Sequence, residues 1–143
     1  MSETNKDLMR RAWAAYDRGD EDEFAACLTE DWREYDGSGA SQGLGEERRT
    51  MRLHKVAFPD KRTVIHRIVA DDEWVACQST TTATHSGLYL GVEATGRELR
   101  LNEMMFNRVR DGRLCASWAI VDGQGFYEQL TGKTAAQALD NIG

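Results

Sequence analysis

Long apolar runs are missing from this sequence. No stretch approaches the roughly 18 consecutive apolar residues that a membrane-spanning helix needs, and the N-terminal segment MSETNKDLMRR is polar. That segment has none of the features of a signal or transit peptide. The sequence therefore predicts a protein with no membrane partner and a cytoplasmic location.

A surplus of basic residues is also missing. Lysine and arginine number 18 against 24 aspartates and glutamates, which gives a formal net charge of −6. Nonspecific binding to nucleic acid or to an acidic membrane requires a basic face. We therefore expect no nucleic-acid partner.

Cysteine and histidine are too few and too scattered to indicate a metal centre. Cys27, Cys77 and Cys115 lie far apart among apolar or small residues, which is typical of reduced core thiols. None of the histidines has a second ligand at a zinc-binding spacing. The sequence also lacks phosphate-binding glycine motifs and the G-x-S-x-G of serine hydrolases. It predicts no metal and no cofactor.

The composition that remains is typical of one globular domain. Hydrophobic residues make up 41% and charged residues 29% of the 143 residues, and there is a single proline. A chain of this length can bury a hydrophobic core without disulfides or metals. We expect a single domain over residues 1–143.

The spacing of apolar residues predicts helices first and strands afterwards. The predicted helices cover residues 4–18, 21–28 and 46–57, and the predicted strands cover 32–35, 62–69, 74–86, 97–110 and 113–122, with 37–45 as a flexible loop. Helices followed by a run of antiparallel strands indicate an α+β fold. We expect a cone-shaped barrel, in which a curved antiparallel sheet is closed by the N-terminal helices around one deep pocket.

The last two strands meet at Asp111-Gly112, which is the strongest short signal of a β-hairpin. A two-residue turn pairs Val109 with Leu114, and regular alternation then pairs Leu101 with Asp122. The predicted pocket face carries Leu101, Glu103, Met105, Asn107 and Val109, opposite Leu114, Ala116, Trp118, Ile120 and Asp122.

Two carboxylates, Glu103 and Asp122, share this mostly apolar face. Ionising both is costly, so the pKa of at least one should be raised, as general acid–base catalysis near neutral pH requires. The alternative is structural, because acids near strand ends are often solvated and Glu103 can pair with an arginine. On the strand 74–86, a face of small residues ends in His85 and leaves volume for a pocket. A lone histidine there is more often structural, and we interpret His54 and His66 in the same way.

Several short segments carry a resemblance to a known family. They are Phe58-Pro59-Asp60, His85-Ser86-Gly87, Leu90-Gly91, Thr95-Gly96-Arg97, Arg108, Arg110-Asp111-Gly112, Trp118, Val121-Asp122 and Gln129-Leu130. Over roughly residues 46–132 the chain resembles the SnoaL-like polyketide cyclases of the nuclear transport factor 2-like superfamily.

This resemblance implies a cone-shaped α+β barrel that dimerises through its sheet and a cofactor-free acid–base reaction on a hydrophobic, ring-forming substrate. The family's proposed acid/base is an aspartate near the end of the last strand, which corresponds to Asp122. The sequence departs from the family at Ala119, at Met105 and at Glu34-Tyr35-Asp36, where Asp, a polar residue and Asp-His-Asp often stand. Some relatives are thought to hydroxylate polyketide intermediates instead.

The sequence thus predicts a polyketide cyclase-type enzyme that closes a ring by aldol-type chemistry. Its alternatives are a polyketide hydroxylase on the same fold and a non-catalytic dimeric module that binds small molecules. The predicted partners are a hydrophobic, polyketide-like molecule and a second copy of the chain. The predicted catalytic residues are Asp122 and His85, and the predicted substrate-binding residues are Glu103, Asn107, Trp118, Met105, Leu101, Ile120, Tyr16, Trp13, Phe58 and Tyr35.

Overall fold

A computed structural model describes residues 2–133 of the chain. The predicted single domain therefore has residue 1 and residues 134–143 outside the described part. The elements in chain order are α1 (Ser2–Arg18), α2 (Glu21–Ala26), β1 (Leu28–Tyr35), β2 (Ser41–Gly43), α3 (Leu44–Ala57), β3 (Arg62–Ala70), β4 (Trp74–Thr84), β5 (Glu98–Arg110), β6 (Arg113–Val121) and α4 (Gly123–Thr131). Within residues 2–133, no helix is long and apolar enough to cross a membrane.

Helix α1 covers the sheet because its apolar residues recur at helical spacing. Leu8, Met9, Ala12 and Ala15 are buried and belong to the main core cluster with residues of β1 and β4–β6. The helix ends at Gly19, whose φ of +72° is accessible to glycine at little cost. Asp20 then begins α2, because its side chain accepts a hydrogen bond from the Glu23 N–H at 3.1 Å.

The strands form one open six-stranded sheet in the order β2-β1-β6-β5-β4-β3. The predicted α+β class is confirmed, and so are the four long strands of the second half. The sheet is mixed rather than wholly antiparallel, because β1 pairs with β6 in parallel. It is also open rather than closed into a barrel, with β2 at one edge and β3 at the other. Residues 37–45, predicted as a loop, include the short strand β2 and the start of α3.

The predicted hairpin is confirmed at its turn and wrong beyond it. Asp111 and Gly112 have φ of +53° and +75°, as a two-residue hairpin turn requires, and Val109 pairs with Leu114. The next pair joins Arg108 to Ala116, so Cys115 is the extra residue of a β-bulge. A slip of one residue moves every later side chain of β6 to the opposite face.

The bulge places Trp118, Ile120 and Asp122 outside the predicted pocket, and their placement on the pocket face was wrong. Trp118 is opposite Phe106 and stacks on Tyr35 with ring centroids 5.3 Å apart. Ile120 is 61% exposed. Asp122 is exposed and caps α4, where its Oδ1 accepts a hydrogen bond from the Gly125 N–H at 2.9 Å. Tyr35 likewise lies away from the cavity described below.

Candidate active site

A cavity lies between the N-terminal helices, α3 and the inner face of the sheet. Its volume is about 130 Å³. Its wall is mostly apolar and is formed by Met9, Ala12, Trp13, Tyr16, Phe24, Leu28, Trp32, Leu101, Met105 and Leu114. Polar groups enter this wall from both layers, namely Glu34, Glu47, His54, Lys61, Thr81, Glu103, Asn107 and Ser117. An apolar hollow with a few convergent polar groups is the usual form of a small-molecule site. We call it the inner cavity.

A second hollow of about 200 Å³ adjoins the inner cavity, and we call it the outer cavity. The two share four lining residues, which are His54, Lys61, Thr81 and Leu101. The outer cavity is aromatic at its end. Phe58 and Tyr89 meet edge to face with centroids 4.8 Å apart, and Phe126 lies 6.2 Å from Tyr89. Together the two hollows suit an extended ligand that has aromatic or planar parts.

Seven of the predicted substrate-binding residues line these hollows. Trp13, Tyr16, Leu101, Glu103, Met105 and Asn107 line the inner cavity, and Phe58 lines the outer one. Their side chains come from α1, from β5 and from the end of α3. The predicted alternation on β5 therefore holds, because β5 has no extra residue between Leu101 and Asn107.

Three carboxyl groups meet in the inner cavity, from β1, α3 and β5. Glu47 is only 3% exposed and accepts a hydrogen bond from the Gln42 amide. Oε1 of Glu103 is buried and has no hydrogen-bond partner among residues 2–133. Glu34 is the third, on the same side of β1 as the buried Trp32. Placing three acids in one apolar hollow works against their joint ionisation.

The electrostatics of this group favour proton transfer near neutral pH. The pKa of Glu34 is raised to about 8, first by burial and then by the negative charges of Glu47 and Glu103. The pKa of Glu103 is raised to about 7 by burial and by the charge of Glu47, while Lys61 opposes the rise. Two neighbouring acids that titrate near neutrality can act as a proton donor and a proton acceptor.

Lys61 and His54 stand where the two cavities join. Lys61 Nζ lies 3.9 Å from the centroid of the Tyr16 ring and 3.4 Å from His54 Nδ1. Burial, followed by the charge of Lys61, lowers the pKa of His54 to about 4. The imidazole is therefore neutral at physiological pH. Its Nδ1 accepts from the lysine, and its Nε2 then donates to the hydroxyl of Tyr89 at 3.2 Å.

The cavity floor is fixed by a buried chain of hydrogen bonds. Trp32 Nε1 donates to Ser117 Oγ at 3.0 Å, and Ser117 donates to Asn107 Oδ1 at 2.6 Å. Asn107 Nδ2 donates to the backbone oxygen of Val75 at 3.3 Å. Ser117 and Asn107 are 2% and 0% exposed. Because the Asn107 oxygen and one of its two N–H groups are engaged in this way, the side chain is held in a fixed orientation at the floor.

His85, the second predicted catalytic residue, is fully buried but lies outside both cavities. Its Nδ1 bonds the Thr95 hydroxyl at 3.0 Å, and its ring contacts Phe58 with centroids 6.0 Å apart. It ties the loop after β4 to the core. The predicted placement at a pocket wall was wrong, because His85 lies just beyond the end of β4 at Thr84 and lines neither cavity.

The titratable residues of the inner cavity that sequence reasoning did not assign to the site are Glu34, Glu47, His54 and Lys61. Glu34 had a usable signal, because it stands two residues after Trp32 in a strand and so shares its face. Glu47 and His54 lie seven residues apart on α3, which puts them on one side of a helix. Nothing in the sequence pattern indicated Lys61, because its position depends on contacts with Tyr16 of α1 and His54 of α3. Among residues 2–133, no three or more of His, Cys, Asp and Glu are grouped as a metal site.

A curved open sheet with helices over one face and a cavity between them is the nuclear transport factor 2-like fold. The family model of SnoaL-like polyketide cyclases matches residues 6–130. The chain therefore belongs to the SnoaL-like polyketide cyclase family.

Solved structures agree with this assignment. AclR from Streptomyces galilaeus, a proposed hydroxylase, is 25% identical with a TM-score of 0.82, over 90% of this chain and 96% of that one. IdmH from Streptomyces antibioticus, a proposed polyketide cyclase, is 25% identical with a TM-score of 0.78, over 87% and 96%. TsrD from Streptomyces laurentii, at 22% identity and a TM-score of 0.80 over 92% and 97%, shares the fold. The search of curated proteins found no match.

Proposed function

We propose that this protein is a polyketide-tailoring enzyme that closes a ring by acid–base chemistry in the inner cavity. The observation that carries the proposal is the pair Glu34 and Glu103, which share an apolar hollow and titrate near neutral pH. Family membership supports the class of substrate. We assign the catalytic role to these glutamates instead of Asp122, because Asp122 lies outside the inner cavity.

Ring closure of this kind needs a base and an acid. Glu103, with a pKa near 7, is partly ionised at neutral pH and removes a proton from a carbon beside a carbonyl group. The carbanion attacks a second carbonyl carbon of the same molecule and forms the new carbon–carbon bond. Glu34, with the higher pKa, then gives its proton to the alkoxide oxygen. Groups held neutral or half-ionised by burial are suited to these two steps.

In this proposal Tyr16, which lines the same cavity, stabilises the developing oxyanion. Burial, with a further contribution from the charge of Glu47, raises the pKa of the Tyr16 phenol well above its usual range. The phenol therefore keeps its proton and remains a donor. A donor fixed in an apolar site stabilises a developing negative charge without reorganisation at the moment of reaction. Trp13, Met105 and Leu101 would enclose the rings of the substrate.

The test is turnover of a panel of aromatic polyketide intermediates, read by product mass. We expect a product of unchanged mass, or one lighter by a water molecule, from the wild-type protein. Glu103→Gln should lower kcat by about 10²–10⁴-fold while ligand affinity changes little, as loss of a general base does. Near-parental turnover in that variant would remove Glu103 from the reaction.

Asp122→Asn is the matched control. It neutralises a carboxylate outside the cavity, and asparagine is as good a helix cap as aspartate. We expect parental turnover from this variant. A loss as large as that of Glu103→Gln would return the catalytic role to Asp122.

Hydroxylation of a polyketide intermediate is the second candidate function. It is favoured by the similarity to AclR, which is as close in identity as the similarity to IdmH. A product heavier by one oxygen, with oxygen consumption, would indicate it. Ligand binding without any product would indicate a binding module.

The dimer and the cytoplasmic location also remain predictions. The outward face of the sheet carries exposed apolar side chains such as Phe106 and Trp118, which a second copy of the chain would cover in a dimer. Analytical ultracentrifugation of the purified protein would test for the dimer directly.

A further inference from the structure

The acid–base proposal leaves Lys61 without a role, although its amine stands at the junction of the two cavities. The residue follows the turn at Pro59, and its side chain runs between Tyr16 of α1 and His54 of α3. It lines both the inner and the outer cavity. A ligand that spans the two hollows must pass this amine.

The partners of Lys61 differ from those of an ordinary surface lysine. No carboxylate among residues 2–133 lies within ion-pair distance of its Nζ. Its Nζ contacts the face of the Tyr16 ring, 3.9 Å from the centroid, and Nδ1 of the neutral His54 at 3.4 Å. By contrast, Lys6 pairs with Glu3 at 2.9 Å on the surface. The Tyr16 ring face stabilises the ammonium ion in part, but burial without an ion pair favours the free amine.

We infer that Lys61 is a nucleophilic amine that forms an imine with a ketone or aldehyde carbonyl of the ligand in the cavity. The neutral amine attacks the carbonyl carbon, and the carbonyl oxygen takes up a proton to give a carbinolamine. Loss of that oxygen as water leaves the carbon–nitrogen double bond, and hydrolysis reverses the step. Amines in hydrophobic pockets are activated for this chemistry by desolvation.

The surrounding charges fit such an amine. The titratable groups that contact Lys61 are Tyr16 of α1 and His54 of α3, and the carboxylates whose charges act on it are Asp17, Glu47 and Glu103. Burial lowers the pKa of Lys61 to about 8, and the charges of Asp17, Glu47 and Glu103 only partly oppose it. Glu34, the acid with the higher pKa, lines the same cavity and can supply the proton that leaves with the carbinolamine oxygen. The inference depends on the proposed function only for the carbonyl-bearing class of ligand.

The test uses benzoylacetone, a β-diketone that converts an imine into a stable conjugated enaminone. The purified protein is incubated with this probe at pH 8 and analysed by near-ultraviolet absorbance, intact mass and peptide mapping. We expect one adduct per chain, with the mass of the probe less one water, mapped to Lys61. At pH 8 an amine with a pKa near 8 has about a hundredfold larger free fraction than an ordinary lysine with a pKa near 10.4. The rate of labelling at Lys61 should therefore exceed the rate at a surface lysine by about that factor.

Two variants make the result decisive. Lys61→Arg keeps the positive charge but forms no imine, and it should lose the fast adduct while its circular dichroism stays parental. Lys55→Met removes an exposed lysine near the end of α3 and should keep the fast adduct. Labelling spread evenly over the surface lysines, or a fast adduct that survives in Lys61→Arg, would overturn the inference.

The outcomes also separate this inference from the proposed function. A Lys61 adduct without turnover of any polyketide intermediate supports the amine and contradicts the enzyme proposal. Turnover that depends on Glu103, with no adduct at Lys61, does the reverse. If Lys61→Arg fails to fold, the wild-type protein is incubated with benzaldehyde and cyanoborohydride, which reduces the imine to a stable secondary amine, and peptide mapping decides the site of reaction.

Discussion

Replacing Glu34 by glutamine should make the protein more stable at alkaline pH. The folded-state pKa of Glu34 is about 8, against a usual value of 4.5, chiefly because the carboxyl is buried. Folding therefore favours the neutral acid. The stability that protonated Glu34 contributes is fully present below about pH 4.5 and is lost as the pH rises from there through about 8. Glutamine has the same shape and never ionises, so Glu34→Gln avoids this loss.

The magnitude follows from the size of the shift. A change from 4.5 to about 8 corresponds to about 5 kcal/mol at 1.36 kcal/mol per unit. This figure is a ceiling, because the charges of Glu47 and Glu103 contribute to the shift and the three groups titrate together. We expect a gain of about 2 kcal/mol at pH 8, or roughly 4–8 °C in Tm, and little gain at pH 5.

The assay is urea denaturation of wild type and Glu34→Gln at pH 5, 6, 7 and 8. Glu30→Gln is the matched control, because Glu30 lies exposed on the same strand, and its unfolding free energy should change little. The reasoning is refuted if Glu34→Gln is no more stable than wild type at pH 8, or if its gain is equal at pH 5. A more stable but less active variant would fit a site whose strain serves function.

Three further predictions concern the groups around the site. Glu47→Gln removes a negative charge and should lower the pKa of both Glu34 and Glu103. The acid limb of the pH–rate profile should therefore move to lower pH. An unmoved limb would contradict the assignment of part of the rise in these pKa values to the charge of Glu47. Ser117→Ala leaves the Trp32 indole N–H and the Asn107 amide oxygen unpaired and should cost about 2 kcal/mol in urea denaturation. An unchanged midpoint would contradict the buried network. Asp122→Ala removes the cap of α4 and should cost about 1 kcal/mol, measured by thermal unfolding, whereas an unchanged Tm would show that the cap contributes nothing.

The hairpin shows where local sequence information stops. Asp111-Gly112 determines a turn because both positions need φ above zero, which is a property of the two residues themselves. The register beyond the turn was not determined locally. Strand β6 carries apolar side chains on both faces, so alternation fits either parity. The bulge at Cys115 turns Ser117 toward the core, where it bonds Asn107 and Trp32.

The site shows the same division. Strand β5 was predicted correctly, because its face of Leu101, Glu103, Met105 and Asn107 follows from a simple two-residue period. Glu34, the acid on β1 that shares the cavity with Glu103, was not predicted as a site residue. Strand β1 is brought beside β6 by a parallel pairing between distant parts of the chain. The hydrophobic pattern of neither segment indicates such a contact.

By itself, the sequence determined the α+β class, the order of helices and long strands, and the family. These depend on apolar periodicity, turn residues and short motifs, all of which are local. Only the tertiary structure decided which acids share the cavity, that Asp122 caps a helix instead, and that a lysine stands between the two hollows. The physical reason is that burial and charge–charge coupling, which set those pKa values, exist only once distant segments are packed together.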